Sequence, residues 1–142
     1  MFWIFNLLIL IQFSVSGVPS TPEDFVRKNR MILIDGEGDC SAWFTDELQK
    51  DLSERKLLVM HFNNGALIES NFKGELKATA FLKLIPEKAD QSMNWVLIGL
   101  DGGIKSSGVS LPKSGEIFKI IDAMPMRQSE LVKKGNQDNS LN

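Results

Sequence analysis

Cys40 is the one cysteine of the 142-residue chain, and His61 is its one histidine. Thiol or imidazole chemistry therefore has a single candidate of each kind. Cys40 falls five residues beyond Asp35, where an apolar run gives way to a predicted helix. A helix N-terminus lowers a thiol pKa and favours the nucleophilic thiolate. Asp39 and Glu37 act the other way, because neighbouring negative charge disfavours thiolate. Trp43 stands where a Cys-x-x-Cys motif would place its second sulfur, so dithiol exchange within one chain is excluded. Two readings stay open: a single-cysteine redox role, peroxidase-like or through a mixed disulfide, and a free, partly buried cysteine at a helix start. The residues favour the second.

The acidic residues around Cys40 suggest a cation. Asp35, Glu37 and Asp39 alternate like the first, third and fifth positions of a calcium loop, with Asp46 at the twelfth. Hard oxygen ligands at alternate positions are what Ca²⁺ requires. Against this, Cys40 occupies the position that needs glycine, and an apolar strand rather than a helix precedes the loop; the alternative is a solvated acidic turn. His61 ends an apolar strand run and has no serine or second metal ligand at a defined spacing, which suits a strand-end residue better than a base. Asp122 and Arg127 flank Met124-Pro125-Met126. They are candidates for a partner surface, or for local pairing at a helix end, where arginine favours the last carbonyls.

The elements that must position these groups follow from hydrophobic periodicity. Glu23 to Asn29 reads as a short helix with Thr21 as its N-cap, and Met31 to Ile34 as a strand covered on both faces. A helix carrying Phe44, Leu48 and Leu52 on one face comes next, then a second strand from Leu57 to Phe62. Asn63-Asn64-Gly65 breaks that pattern. A helix is predicted over Asn71 to Leu84, with Phe72, Leu76, Ala80 and Leu84 in register. Trp95 to Leu100 and Ile104 to Ser107 read as strands joined at Asp101-Gly102-Gly103 by a tight primed turn. A last helix starting between Ser110 and Ser114 carries Ile117, Ile120, Ile121 and Met124, and Pro125 stops it. The order β-α-β-α-β-β-α predicts an α/β fold of minimal thioredoxin architecture. Its four-stranded mixed sheet has the order 2-1-3-4 with flanking helices, the first two strands parallel and the third antiparallel to the first.

Length allows one domain, here residues 18–127. From Gln128 the chain is polar and aperiodic, so residues 128–142 are predicted to be a disordered tail. Residues 1–17 read as a signal peptide: Phe2 to Phe13 is apolar apart from Asn6 and Gln12, and Ser14-Val15-Ser16-Gly17 offers small residues for cleavage. No Lys or Arg precedes the run, and the alternative is an uncleaved anchor, although about 20 apolar residues are needed to span a bilayer. A net charge of −2 with scattered basic residues argues against nucleic-acid binding. A single cysteine rules out an internal disulfide and a multi-cysteine metal site, and no cofactor motif stands out.

Three strings go further: Val96 to Lys105 (VLIGLDGGIK), Ile121 to Arg127 (IDAMPMR), and Arg27-Lys28-Asn29-Arg30. Together they resemble the family described as domain of unknown function 4174, exported thioredoxin-like domains related to modules of sushi-repeat extracellular proteins. The resemblance spans about Glu23 to Glu130. It implies a thioredoxin-like fold and no established reaction. Against enzymes of that fold, Glu37 stands where peroxiredoxins carry a threonine, and Asn94 precedes the third strand where a proline is usual. The expectation is an uncharacterised periplasmic or extracellular domain acting as a non-catalytic binding or structural module, its partner left open with a protein as one candidate. The alternative is the Cys40 thiol enzyme, and a membrane enters only through an uncleaved N-terminal segment.

Overall fold

The computed structural model describes residues 17–87 and 93–141. The predicted signal segment, Gly17 excepted, lies outside the described residues. The described residues build one mixed sheet of five strands: β1 (Arg30–Gly36), β2 (Leu57–Asn63), β3 (Ala66–Ser70), β4 (Met93–Ile98) and β5 (Ile104–Gly108). Their order is β3-β2-β1-β4-β5. β1 and β2 are parallel, with Ile32 opposite Val59, and β4 runs antiparallel to β1, with Ile32 also opposite Leu97. The four predicted strands keep their neighbours. The strand count does not: β3 adds a fifth at the free edge of β2.

β3 exists because Asn63-Asn64-Gly65 is a hairpin turn rather than a simple break. Asn64 and Gly65 both take left-handed backbone, with φ of 50° and 78°, the pair that a primed two-residue turn demands. The Asp101-Gly102-Gly103 turn departs from expectation in the opposite direction. Only Gly102 there is left-handed, at φ 80°. The turn spans Gly99 to Gly103, and the Asp101 carboxylate accepts the Gly103 N–H at 2.9 Å.

Strand alternation divides the core between two faces. Ile32, Ile34, Val59 and Leu97 meet Cys40, Trp43, Leu52, Ile117 and Ile121 on one side. Met31, Leu33, Met60, Val96 and Ile98 meet Phe25 and Phe81 on the other. The first face is covered by helices α1 (Asp46–Glu54) and α3 (Ser114–Asp122). The second is covered by a 3-10 turn at Pro22–Phe25 and the short helix α2 (Ala78–Leu82). The result is a three-layer α/β sandwich.

The predicted helix over Asn71 to Leu84 survives only as α2. Asn71 is held extended against β2, its side-chain oxygen accepting the Val59 N–H at 2.8 Å and its amide donating to the Leu57 carbonyl at 3.1 Å. Leu76 then bridges Ser20, with the Ser20 N–H on the Glu75 carbonyl and the Lys77 N–H on the Ser20 carbonyl, both 2.9 Å. These contacts use the backbone groups that a helix start needs. The predicted helix over Glu23 to Asn29 shortens likewise to a 3-10 turn, and the Asp24 carboxylate accepts the Thr21 N–H at 2.9 Å.

Pro125 ends α3 but opens another helix, α4 (Pro125–Ser140). A proline lacks the N–H that a first helical turn leaves unused, so this position suits it. The stretch from Gln128, predicted as a disordered tail, therefore runs as the body of α4. Its inward contacts are made by Arg127 and Glu130, and beyond Glu130 the residues are largely exposed. No described helix is long and apolar enough to cross a membrane.

Candidate functional site

Cys40 lies after β1, as the sequence implies, but its thiol turns into the core. It is 3% exposed and packs with Trp43 and Ile34. A 3-10 turn, Ser41–Phe44, follows it in place of the N-terminus of a long helix. Burial, reinforced by the negative charges of Asp39 and Glu69, pushes the thiol above its ordinary range. The group is therefore held protonated, opposite to what a thiol nucleophile needs. Trp43 fills the position of the absent second sulfur and donates its ring N–H to the Pro112 carbonyl at 3.1 Å.

The four calcium candidates are not gathered. Asp35 and Glu37 line an open polar cleft with Asn63, Asn64 and Asn94 at the carboxyl ends of β1 and β2. Asp39 instead accepts the Ser41 N–H at 2.9 Å, and Asp46 opens α1. Among the described residues, no three His, Cys, Asp or Glu side chains come together to hold a metal. Burial raises the Asp35 pKa, and the nearby His61 partly offsets this. His61 is buried in β2, with its Nε2 3.0 Å from the Gly36 carbonyl.

Asp122 and Arg127 do pair, in a network that joins three helices. The Arg55 fork meets Asp122 at 3.0 and 2.9 Å and lies over the Phe118 ring at 4.2 Å. Arg127 reaches Asp122 at 3.4 Å, Glu130 at 3.3 Å and the Glu54 carbonyl at 2.8 Å. Hydrogen bonds from Arg55, then the charges of Arg55 and Arg127, hold the Asp122 carboxyl below the usual carboxylate range. A carboxyl lowered in this way adds stability above its unfolded pKa, and that stability is lost as pH falls through the folded value. This network docks α4 against α1 and α3.

The sequence reading missed the residue beneath that network. Arg30, the first residue of β1, is fully buried. Its Nη1 donates to the Arg55 carbonyl at 2.8 Å and meets Glu130 at 3.3 Å. Among the described residues, Nε and Nη2 have no partner. Arg30 also lines a cavity of about 210 Å³, together with Gly99, Leu100, Asp101, Lys105 and the Met124-Pro125-Met126 turn. Arg30 has the same strand parity as Ile32 and Ile34, which marks it as inward-facing. That was the available signal, and it was obscured because Arg30 closes a run of polar, mostly basic residues.

The cavity draws on all three strings that carry the family resemblance. Arg30 ends the Arg27-Lys28-Asn29-Arg30 string, Gly99, Leu100, Asp101 and Lys105 belong to Val96–Lys105, and Met124 to Met126 to Ile121–Arg127. Residues 22–130 match the family described as Domain of unknown function (DUF4174). The chain belongs to the DUF4174 family. No curated protein and no solved structure gives a significant match. The DUF4174 match includes the whole sheet, the Arg30 cavity and the first turns of α4, and it ends at Glu130, the last residue that α4 contributes to the ion-pair network on Arg30.

Proposed function

We propose that this DUF4174 domain is an exported, non-catalytic binding module of thioredoxin-like architecture, working in the periplasm or outside the cell. The carrying observation is the contrast between its two candidate sites. The thiol is buried and held protonated, whereas an arginine with two unpartnered donors borders a cavity. The parallel β1–β2 pair flanked by antiparallel β4 and β5 supports the thioredoxin-like reading, with β3 as an added edge. The apolar segment from Phe2 to Phe13 supports export. A lone thiol in an oxidising compartment is a liability when exposed, so the burial of Cys40 is consistent with that location.

Insulin reduction with dithiothreitol tests this reading. The purified protein should leave the reaction at its uncatalysed rate, and Cys40→Ser should change nothing. A clear Cys40-dependent acceleration would replace the binding module with the single-cysteine redox enzyme.

A further inference from the structure

The geometry points to a binding site for a small organic carboxylate in the Arg30 cavity, with Arg30 as the anion-recognising group and the methionine turn as the apolar wall. This assignment rests on the binding-module reading and names its ligand class.

Three independent features lead there. The first is the guanidinium. A buried donor without a partner costs about 1–3 kcal/mol, and Arg30 carries two, on Nε and Nη2. Those two atoms form one edge of the guanidinium fork, the edge that meets both oxygens of a carboxylate. Nη1 is already engaged by the Arg55 carbonyl and Glu130. Ordered water could serve orphan donors, but a bound water needs two to four polar partners. The walls here are largely Leu100, Met124, Pro125 and Met126.

The second feature is size. An apolar cavity of roughly 150 Å³ takes a benzene ring. The Arg30 cavity, at about 210 Å³, leaves room for a ring and a carboxylate. The third is the field around the mouth. Leu100 and Met126 also border an adjoining depression lined by Arg27, Lys56, Glu130 and Lys133. Among the described residues lining the two hollows, the cations are Arg27, Arg30, Lys56, Lys105 and Lys133 and the anions Asp101 and Glu130. This concentrates positive charge on a chain whose net charge is −2, and such a field attracts anions.

Arg30 has no exposed surface, so the carboxylate reaches it only when a wall moves. Met126 is 48% exposed, and methionine has three rotatable bonds with which to open a path. Lys105 is held by Asp101 at 2.8 Å, and it lies so close over Gly99 that a Cβ there would fall 2.5 Å from its Cε.

The test is a titration of the full chain, carrying ¹³C-methyl methionine, with sodium benzoate, benzyl alcohol and sodium chloride in parallel. Benzoate should shift the Met124 and Met126 methyl signals saturably and bind roughly tenfold or more tighter than benzyl alcohol, which lacks the charge. Sodium chloride at the same ionic strength should not reproduce the shifts. Arg30→Lys keeps the charge but loses the fork, and should weaken benzoate about tenfold with benzyl alcohol unchanged. Met126→Trp, made at a half-exposed position, should close the mouth and abolish the shift of the remaining Met124 methyl with either ligand; it serves as the decisive variant if Arg30→Lys does not fold. Equal affinity for benzoate and benzyl alcohol, or no saturable shift at Met124 and Met126, would overturn the assignment. That failure would leave the insulin result untouched, whereas Cys40-dependent reduction would remove the binding-module reading with the titration intact.

Discussion

Replacing Glu130 with alanine is expected to destabilise the fold by roughly 2–4 kcal/mol, seen as a lower urea midpoint at an unchanged slope. Among the described residues, Glu130 is the carboxylate within reach of the buried Arg30 guanidinium, at 3.3 Å, and it also meets Arg127 at 3.3 Å. Removing it leaves a fully buried cation without a counter-charge, which costs far more than losing an exposed pair. The control lies on the same helix: Lys134 meets Glu54 at 3.8 Å with both side chains well exposed. Lys134→Ala should cost no more than about 0.5 kcal/mol. Combining Arg30→Met with Glu130→Ala should recover part of the loss, because an apolar replacement of a buried pair can be nearly neutral. If Glu130→Ala behaves like Lys134→Ala, the Arg30 charge is not confined as described, and the carboxylate site loses its anchor.

The second large effect concerns Trp43→Cys, which would restore two-cysteine spacing beside Cys40. We expect a loss of about 3–5 kcal/mol and no gain of disulfide reductase activity. Trp43 is 2% exposed, stands edge-on to Phe118 at 6.4 Å and holds the Pro112 carbonyl. Truncating it opens a cavity between β1 and α3 and orphans that carbonyl. The tryptophan is thus a core residue that occupies the motif position, rather than a degenerate half of an active site. Urea unfolding together with the insulin assay measures both outcomes, and a variant as stable as its parent would contradict this account of the core.

The sheet was legible where burial is two-sided. Met31 to Ile34, Leu57 to Phe62 and Trp95 to Leu100 are dominated by apolar residues because both faces are covered, and that property places Trp95 to Leu100 inside the sheet. β3 was not legible for the complementary reason. Ala66–Ser70 is a short edge strand, largely exposed, with Ile68 57% exposed. Its signal lay in the Asn64-Gly65 turn rather than in its hydrophobicity. The helical register of Phe72, Leu76 and Leu84 recorded real burial against the Phe25–Phe81 cluster. It gave the wrong conformation because Asn71 and Ser20 compete for the backbone of that segment. Pro125 was ambiguous in principle, since proline both ends one helix and suits the first turn of the next.

The candidate site was less legible than the fold. Cys40 was found by residue type and position, and its uncertain reactivity was already implied by Asp39 and Glu37. Arg30 could not be found by type: strand parity with Ile32 and Ile34 was its one signal, and its enclosure by Arg55, Glu130 and the methionine turn exists only in the folded chain. The three strings carrying the DUF4174 resemblance are far apart in sequence. Their convergence on one cavity is a property of the folded chain.

The alkylation rate of Cys40 by iodoacetamide, followed by intact mass across pH 6 to 10 in native buffer and in urea, tests the central claim most directly. A 3%-exposed thiol pushed up by burial and by Asp39 and Glu69 should react much more slowly in the native protein than in urea at every pH. Native reaction should become measurable only at the alkaline end or through unfolding. Rapid native alkylation at pH 7, faster than the unfolded chain shows, would mean an accessible thiolate and would contradict the non-catalytic reading.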